Sequence, residues 1–411
     1  MAINFLDMYI PTLDQAQKII KQYGSPVYAT DPAYIRQKSE RFLQAFSRFN
    51  TKIFYAIKAN YNPHIVKKVK ESGIYGIDAV SPNEIRLALE LGYKAEQIIY
   101  TPSNPSDEEI QYAGEKGVLQ NLGSLSELER FGERFPGQAV SIRICPEVGE
   151  GESEKVTTGQ TESKFGIPLS DLEAVKTITE KYKLKLIGIH SHIGSGFYGA
   201  YAFRTSIEAV CKVAKNFDSI EFLDFGGGFG VPYHPEKPEI DLEQFAEAIE
   251  GPIHDFNQFT GREVEVRLEP GKFLVGRSTV LLTTVTTLKE KGGVTFVGTD
   301  SGFHNLIRPA MYDAYHHVVN LSKPHAPKKL VQVVGNVCET CDIFNKGIEL
   351  GMPEEGDVLA ILVAGGYGAA MSSNYNIREY IAEVMVEEDA IQLIRKKQTY
   401  EQVMEDFISP Y

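Results

Sequence analysis

The chain has 411 residues, and its 42 lysine and arginine residues against 55 aspartate and glutamate residues give a formal net charge of −13. A hydrophobic content of 43% is ordinary for a globular protein, and the length predicts about two or three domains. The acidic balance argues against nucleic acid and anionic membranes as partners, because both require a basic face.

The chain carries no pattern that would direct it out of a reducing compartment. Four cysteines are too few for a disulfide scaffold. No apolar run approaches the ~20 residues that cross a bilayer, and the N-terminus lacks a basic region followed by an apolar stretch. We therefore expect a cytoplasmic protein without a signal peptide.

Strand-like and helical segments alternate along the first part of the chain. A helix is expected at 11–24, with Thr12 as its N-cap and Gly24 at its end, and a short strand at 25–30. Eight further strands are expected at 52–57, 76–80, 97–101, 118–122, 139–144, 184–190, 219–225 and 264–268. Helices are expected at 64–72, 83–91, 106–117, 124–131, 169–182, 200–217 and 241–259.

Strands that alternate with helices indicate a parallel sheet. Eight of them within about 220 residues fit a (β/α)8 TIM barrel. The alternative is an open, doubly wound sheet. The glycine run 226–230 carries Val231 where the last glycine of a G-x-G-x-x-G fingerprint would fall, so the barrel is preferred.

Beyond residue 276 the helical alternation fades and β-branched segments follow. These predict a second, mainly antiparallel β domain, built as a sandwich or barrel, with a hairpin of 382–387 and 391–396 and a final helix at 399–407. We expect a barrel domain at 29–275 and a second domain made of 1–28 and 276–411. The polar stretch 147–163 is expected to be a mobile loop at the barrel rim.

Two motifs follow barrel strands, where TIM-barrel active sites lie. Lys58 in YAIKAN could form a Schiff base if it is desolvated, although a lone lysine more often points into solvent. His190 and His192 in HSHIGS could ligate a metal, but no third ligand is evident. One of them could instead stack on an aromatic cofactor with Ser195 on its phosphate, or be a core histidine.

Two further motifs end the last barrel strands. The glycine run 226–230 lets backbone N–H groups approach a phosphate, and its four glycines exceed what a turn needs. In EPGK, a buried Glu269 could keep a pyridine nitrogen protonated while Gly271 and Lys272 serve a phosphate. A surface turn is the simpler interpretation of those four residues.

The second domain carries three more candidates. Cys338-Glu339-Thr340-Cys341 invites a redox or zinc interpretation, but without a second C-x-x-C zinc is disfavoured, and a buried cysteine at a strand end is the alternative. Tyr367 lies between glycines that free its ring to face a ligand, or packs in a β-turn. Arg308 and Tyr312 would share a helical face and clamp a carboxylate, unless Arg308 is solvated.

Taken together, these motifs resemble the alanine-racemase-like, fold-III enzymes that depend on pyridoxal phosphate (PLP), and within them the diaminopimelate decarboxylase branch. The resemblance covers about 25–396 and rests on YAIKAN, DAVSPNE, TGQTESKFGI, HSHIGSG, DFGGGFGVPY, EPGK, DSGFHNLIRPAMY, GNVCETCD and GGYGAAMSSNYN. Nine motifs in register are strong evidence for a family.

The resemblance implies a role for each matching residue. Lys58 matches the lysine that holds the cofactor, with Asp78 near that linkage, His192 matches the histidine stacked on its ring, and Glu269 matches the carboxylate on its pyridine nitrogen. The positions that match phosphate contacts are Ser195, Gly228, Gly271 and Tyr367. The positions that match recognition of the far end of the substrate are Arg308, Tyr312 and Glu339. No metal is expected.

Cys338 matches a cysteine that the second subunit of a homodimer places near the reacting carbon. Cys338 and Glu339 would then act on the partner's cofactor, and either Cys338 or Lys58 would supply the proton that replaces carbon dioxide. Lys272 departs from the family, which usually has arginine there. The charge is kept but the bidentate fork is lost, so position 272 is a candidate for phosphate or substrate carboxylate.

The leading hypothesis is an enzyme that converts meso-2,6-diaminopimelate to L-lysine and carbon dioxide. The alternatives are a decarboxylase of another basic amino acid (ornithine, arginine or lysine) or a related metabolite, a catalytically silent binding homologue, and a zinc or redox protein built on Cys338 and Cys341. Arg308 favours diaminopimelate, because ornithine has no distal carboxylate for it to pair with.

Overall fold

The computed structural model describes residues 8–152, 157–160 and 163–408. Its strands are β1 Val27–Thr30, β2 Thr51–Ala56, β3 Gly76–Ala79, β4 Ile98–Tyr100, β5 Leu119–Leu122, β6 Ala139–Arg143, β7 Lys185–His190, β8 Phe222–Asp224, β9 Glu265–Leu268, β10 Thr279–Lys291, β11 Val294–Thr299, β12 Val318–Asn320, β13 Lys328–Val334, β14 Ile343–Gly351, β15 Val358–Ile361, β16 Ala382–Glu387 and β17 Ala390–Arg395.

The α-helices are α1 Leu13–Tyr23, α2 Pro32–Ala45, α3 Pro63–Glu71, α4 Pro82–Glu90, α5 Asp107–Glu115, α6 Leu125–Arg134, α7 Leu172–Tyr182, α8 Tyr201–Ala214, α9 Leu242–Thr260, α10 Lys272–Val275, α11 Arg308–Tyr312 and α12 Tyr400–Met404. Hydroxyl side chains cap several of them. Thr12 begins α1 in a capping box with Gln15, as the sequence predicts, and Ser81, Ser106 and Ser124 accept from backbone N–H groups in the first turns of α4, α5 and α6.

The chain divides into two compact units. One comprises 38–231 and 239–273, and the other comprises 1–37, 232–238 and 274–411. Among the described residues, no helix has both the length and the apolar character that crossing a membrane requires.

The first unit is a closed barrel of eight parallel strands in the order β2 to β9, and pairing of β9 with β2 closes it. This confirms the predicted (β/α)8 barrel over the open sheet. Rings on the helices and on the chain segments that follow β7 and β8 pack into an aromatic cluster, which contains Phe42, Phe197, Phe203, Phe229 and Phe245. Phe229 comes from the glycine run, so the run is anchored by its own aromatic residue.

The second unit is built on a mostly antiparallel sheet in the order β14-β13-β11-β10-β1-β16-β17, with β15 paired to both β10 and β12. Two of its pairs are parallel, β1 with β16 and β11 with β13. Its core is mostly aliphatic and includes Leu281, Val297, Val333 and Ile361 together with the aromatic Phe344. The antiparallel second domain predicted from the β-branched sequence is confirmed.

Candidate active site

Polar side chains lie at the carboxyl ends of the barrel strands. Arg143, His190 and Asp224 are the last residues of β6, β7 and β8, and the strand register pairs Arg143 with His190 and His190 with Asp224. Since neighbouring parallel strands point paired residues to the same side, these three share one layer. Glu269 directly follows β9. The barrel therefore gathers its charged groups where TIM-barrel enzymes carry their chemistry.

Lys58 lies in a single turn of 3₁₀ helix, Ile57–Ala59, directly after β2. Its Nζ is 2.6 Å from Oδ2 of Asp78, which is fully buried in β3. The other oxygen, Asp78 Oδ1, has no hydrogen-bond donor among the described residues. The expectation that Lys58 lies at the end of a barrel strand is confirmed, and a buried carboxylate fixes its position.

Glu269 and His190 form a buried pair, with 3.3 Å between Glu269 Oε2 and His190 Nε2. Burial lowers the pKa of His190 to about 4, so the ring is neutral. We assign its hydrogen to Nε2, because a carboxylate oxygen of Glu269 accepts hydrogen bonds. Burial, and then the charge of Asp78, raise the pKa of Glu269. Glu269 Oε1 has no donor within the described part of the chain.

Asp224 adds a second carboxyl group beside Glu269. Its Oδ1 accepts from the Gly226 N–H at 2.9 Å, and Oδ2 has no donor among the residues described. Burial, and then the charge of Glu269, raise the pKa of Asp224 to about 8. One side-chain N or O atom each from His190, Asp224 and Glu269 lies within 4.8 Å of the other two, so the three buried groups form a close cluster.

His192 is held by the glycine run, because its Nδ1 accepts from the Gly227 N–H at 3.3 Å. Burial lowers the pKa of this ring far below its ordinary value, so it is neutral. The two histidines of HSHIGS therefore have different partners, His190 on a carboxylate and His192 on a backbone amide.

Glycines let three chain segments approach closely. A Cβ on Gly227 would lie 2.1 Å from the carbonyl oxygen of Glu269, and a Cβ on Gly228, whose φ is +101°, would lie 2.1 Å from that of Gly194. Gly271 has similarly little room, since its Cβ would be 3.0 Å from that of Ala56. Ser195 lies half-buried in the segment that faces Gly228. The result is a surface of bare backbone, which suits an anion such as phosphate.

Lys272 is almost fully buried, and its Nζ is 2.8 Å from Oε1 of Glu152. Glu152 belongs to the polar stretch 147–163 and donates its backbone N–H to Ser195 O. No local pattern in the sequence indicates this ion pair. The remainder of that stretch includes 153–156 and 161–162, so the predicted mobility of the loop falls partly outside the described residues.

In the second unit, Arg308 begins the short helix α11 and Tyr312 ends it, so the helical condition for these two residues to share a face is met. Arg308 is 1% exposed and lies over the Tyr233 ring, 4.5 Å from its centroid. Its Nη1 is 3.3 Å from Nε2 of His316, and His316 Nδ1 contacts the carbonyl of Leu362. The alternative of a solvated Arg308 is therefore wrong.

The loop 335–342, between β13 and β14, presents its functional groups to solvent. Cys338 and Cys341 are both exposed, so the alternative of a buried cysteine at this site is wrong. Cys338 Sγ is 3.5 Å from Asn376 Nδ2, and Glu339 accepts from the Tyr375 hydroxyl. Tyr367 lies elsewhere in the unit, half-buried, with a left-handed φ of +58°.

Four site residues were missed by the sequence analysis or were given no role beyond their motif. They are Arg143, His190 as the partner of Glu269, Asp224, and Glu152. The first three share a signal that was available, since each is a polar residue that ends an apolar barrel strand. Glu152 carried no such signal, because nothing in a polar loop indicates which carboxylate turns back to a lysine.

A family model described as pyridoxal-dependent decarboxylase, pyridoxal binding domain, matches residues 33–276. The chain belongs to the pyridoxal-dependent decarboxylases. The decarboxylase family inferred from the nine motifs is confirmed, and with it PLP as the cofactor.

Individual relatives and solved structures indicate a more specific similarity than the family model does. The chain is 39% identical to the diaminopimelate decarboxylase of Methanothermobacter thermautotrophicus over 95% of this chain and 93% of that one. A crystal structure of diaminopimelate decarboxylase superposes with a TM-score of 0.90 at 32% identity, covering 98% of both chains. The enzyme from M. jannaschii in complex with L-lysine gives a TM-score of 0.89 at 30% identity, covering 96% and 94%.

The buried groups of the barrel fit PLP. Glu269 Oε1 lacks the donor that a protonated pyridine nitrogen would supply. Lys58 presents an amine at the mouth of the barrel, and the bare backbone at Gly227, Gly228 and Gly271 leaves no Cβ in the way of a phosphate.

Proposed function

We propose that this protein catalyses the decarboxylation of meso-2,6-diaminopimelate to L-lysine and carbon dioxide, the last step of lysine biosynthesis. The observation that carries the proposal is the 39% identity to a diaminopimelate decarboxylase over 95% of the chain, which extends beyond the cofactor-binding residues into the second unit. When bound, PLP supplies the electron sink that decarboxylation of an amino acid requires.

In this proposal five groups at the strand ends of the barrel each have one task. Lys58 holds the cofactor covalently until substrate arrives, and Asp78 orients its amine. Glu269 holds a proton on the pyridine nitrogen by charge pairing, and His190 fixes the Glu269 carboxylate through Oε2. His192, neutral and tied to Gly227, offers its ring face to the cofactor.

The phosphate contacts are assigned to Ser195, Gly228, Gly271 and Tyr367. Lys272 is assigned to phosphate or substrate carboxylate, and its pairing with Glu152 means that an anion there competes with an internal carboxylate. The amino acid is held by Arg308, Tyr312, Glu339 and Tyr367. Arg308 would pair with the distal carboxylate and Glu339 with the distal amine, while Cys338 or Lys58 returns the proton.

The direct test measures carbon dioxide release from four substrates by the purified, PLP-loaded protein. We expect release from meso-diaminopimelate and little from ornithine, arginine or lysine. Release from one of these three with none from diaminopimelate would overturn the assignment. No release from any of them, with PLP bound, would point to the silent binding homologue.

The role of Arg308 is tested separately with Arg308→Ala, which removes a buried guanidinium that contacts Tyr233 and His316. We expect a fall of at least about 10²-fold in kcat/KM for diaminopimelate, carried mainly by KM, because a charge-assisted contact to the distal carboxylate is lost. Arg86→Ala, on an exposed helix position, is the matched control. An unchanged specificity constant in a folded Arg308→Ala protein would remove Arg308 from the site.

We further propose a cytoplasmic homodimer with shared active sites, in which Cys338 and Glu339 serve the partner's cofactor. Their exposure on the loop 335–342 supports this. Mixing Lys58→Ala and Cys338→Ala chains, each inactive alone, tests it, since a shared site regains about a quarter of the wild-type activity on subunit exchange. Failure to regain activity in verified mixed dimers would show that each site is built from one chain.

The domain boundaries also stand as a proposal, with a cofactor-binding domain at 29–275 and a second domain formed by 1–28 and 276–411. The family match at 33–276 supports the extent of the first.

A further inference from the structure

Asp224 is a buried carboxyl group that the proposed mechanism does not use. It lies in the last position of β8, is 0% exposed, and brings an oxygen within 4.8 Å of Glu269 and of His190. One Asp224 oxygen accepts from the Gly226 N–H, whereas Asp224 Oδ2 and Glu269 Oε1 have no donor among the described residues. Two carboxyl groups that each keep one oxygen without a donor and lie this close need a proton between them or a cation beside them.

The charged groups around Asp224 and Glu269 carry more negative than positive charge. Asp78, Lys58 and Arg143 face Glu269, and the nearest ionisable neighbours of Asp224 are Glu269, His190 and Arg267. The charge of Arg267 is already met by Glu265, whose Oε1 is 2.6 Å from Arg267 Nε. Three carboxylates, Asp78, Asp224 and Glu269, therefore face two cations, Lys58 and Arg143. Glu84, which acts on Lys58, and Glu127, which acts on Arg143, add further negative charge, so at least one negative charge is left over inside the barrel.

We propose that Asp224 and Glu269 share one proton in the cofactor-free protein, and that this proton passes to the pyridine nitrogen when PLP binds. The inference rests on the proposed role of Glu269. The transfer is balanced without another reactant, because the proton leaves the carboxyl pair, the ring nitrogen gains it, and the pair keeps two negative charges beside the new N–H. Asp224 is thus a positioning residue, which sets the charge of Glu269 without contacting the cofactor.

His190 is not the holder of this proton. It is fully buried, and its Nε2–H already points at Glu269 Oε2. The low pKa of its ring and the raised pKa of Asp224, both caused by burial, agree with a proton on the carboxyl pair. Two carboxyl groups can lie close together at neutral pH when they share one proton.

The proton is counted by calorimetry. Apoprotein is titrated with PLP at neutral pH in buffers of different ionisation enthalpy, which gives the protons exchanged per site. Asp224→Asn keeps an oxygen for the Gly226 N–H but cannot share a proton, so its site must draw the proton from solvent. We expect it to take up about one more proton per site than wild type on binding PLP. The same change at the exposed Asp218, Asp218→Asn, should leave the count unchanged.

A second measurement needs no variant. The infrared spectrum of the wild-type apoprotein should contain the band of one protonated carboxylic acid, which disappears when PLP binds. Equal proton counts in wild type and Asp224→Asn, or the absence of that band, would overturn the proposal. Stoichiometric metal in the apoprotein, lost in Asp224→Asn, would overturn it as well, because the cation would then compensate the pair. PLP binding that fails altogether in wild type would instead remove the cofactor role of Glu269.

Discussion

The barrel and the loop 335–342 of the second unit differ in how far their candidate functional groups are exposed to solvent. In the barrel, Asp78, Asp224 and Glu269 are buried, fixed by short contacts, and two of them have strongly perturbed pKa values. In the loop, Cys338 and Glu339 are exposed. Burial makes electrostatic interactions strong, which suits chemistry, at the cost of stability. Exposed groups interact more weakly, so a change in them is expected to affect the fold little.

The largest effect should come from Lys58→Ala, which removes the amine from the barrel mouth and leaves Asp78 buried without its cation. We expect activity to fall by on the order of 10³-fold or more, because the covalent hold on the cofactor and a proton carrier disappear together. Borohydride treatment should no longer fix PLP to the chain. Lys67→Ala, on an exposed face of α3, is the control, and cofactor still fixed in the Lys58→Ala protein would assign the linkage to another lysine.

Glu269→Gln should rank next. The change keeps the shape of the side chain but removes the charge that holds a proton on the ring nitrogen. We expect kcat to fall by about 10²- to 10³-fold with KM little changed, since the loss is felt in the transition state. The visible spectrum of the loaded protein should shift as well. An unchanged kcat would show that the buried cluster has a structural role only. Burial would then not separate catalytic groups in the barrel from recognition groups in the exposed loop.

A smaller effect is expected for Glu339→Gln in the exposed loop. Loss of one charged contact to the distal amine should lower kcat/KM for diaminopimelate by about tenfold, mostly through KM. The melting temperature should stay at the wild-type value because the side chain is exposed. Glu349→Gln, on an exposed position of β14, is the control. A large loss of thermal stability would show that Glu339 belongs to the fold.

The smallest effect concerns the pH dependence of apoprotein stability. His190 titrates lower in the folded state, at a pKa of about 4, so its contribution makes stability rise only up to pH 6.5. Asp224 titrates higher when folded, at about 8, so the folded state binds more protons and stability falls as pH rises towards 8. Between pH 6.5 and 8 His190 no longer contributes, and the slope of the Asp224–Glu269 pair remains, about 1–2 kcal/mol in the free energy of unfolding. Urea unfolding of Asp224→Asn should show a flatter profile, and an identical slope would assign it to other groups.

Much of the barrel was predictable from sequence, because β-strands and amphipathic helices alternate with clear end signals. All eight barrel strands lie within a few residues of their predicted positions, and the cap at Thr12 was visible as a hydroxyl residue before a helix. Helix α2 was missed because its inward side carries polar residues. Lys38 and Ser39 are buried, and Lys38 is satisfied by Glu239 from a distant part of the chain.

The site was predictable only to the extent that local patterns define it. Lys58, His192 and Glu269 stand in short motifs, so their positions at strand ends followed from the barrel. The contacts of Asp224 with Glu269, and of Lys272 with Glu152, join residues distant in sequence. They arise from barrel closure and from the path of one loop, which no local pattern encodes. The burial of Arg308 was likewise decided by packing in the second unit.

The lack of a Cβ at Gly227 is as strictly required as the reactive groups of the site. Because Gly227 has no Cβ, the carbonyl oxygen of Glu269 lies in the space that a Cβ would need. Any larger residue at 227 would therefore displace the backbone of Glu269, and with it the carboxylate side chain. A saturation scan of this chain should therefore find Gly227 as intolerant as Glu269, although Gly227 offers no functional side chain. Efforts to redesign the substrate range of this scaffold would have to leave Gly227 untouched and vary exposed loop positions such as Glu339 instead.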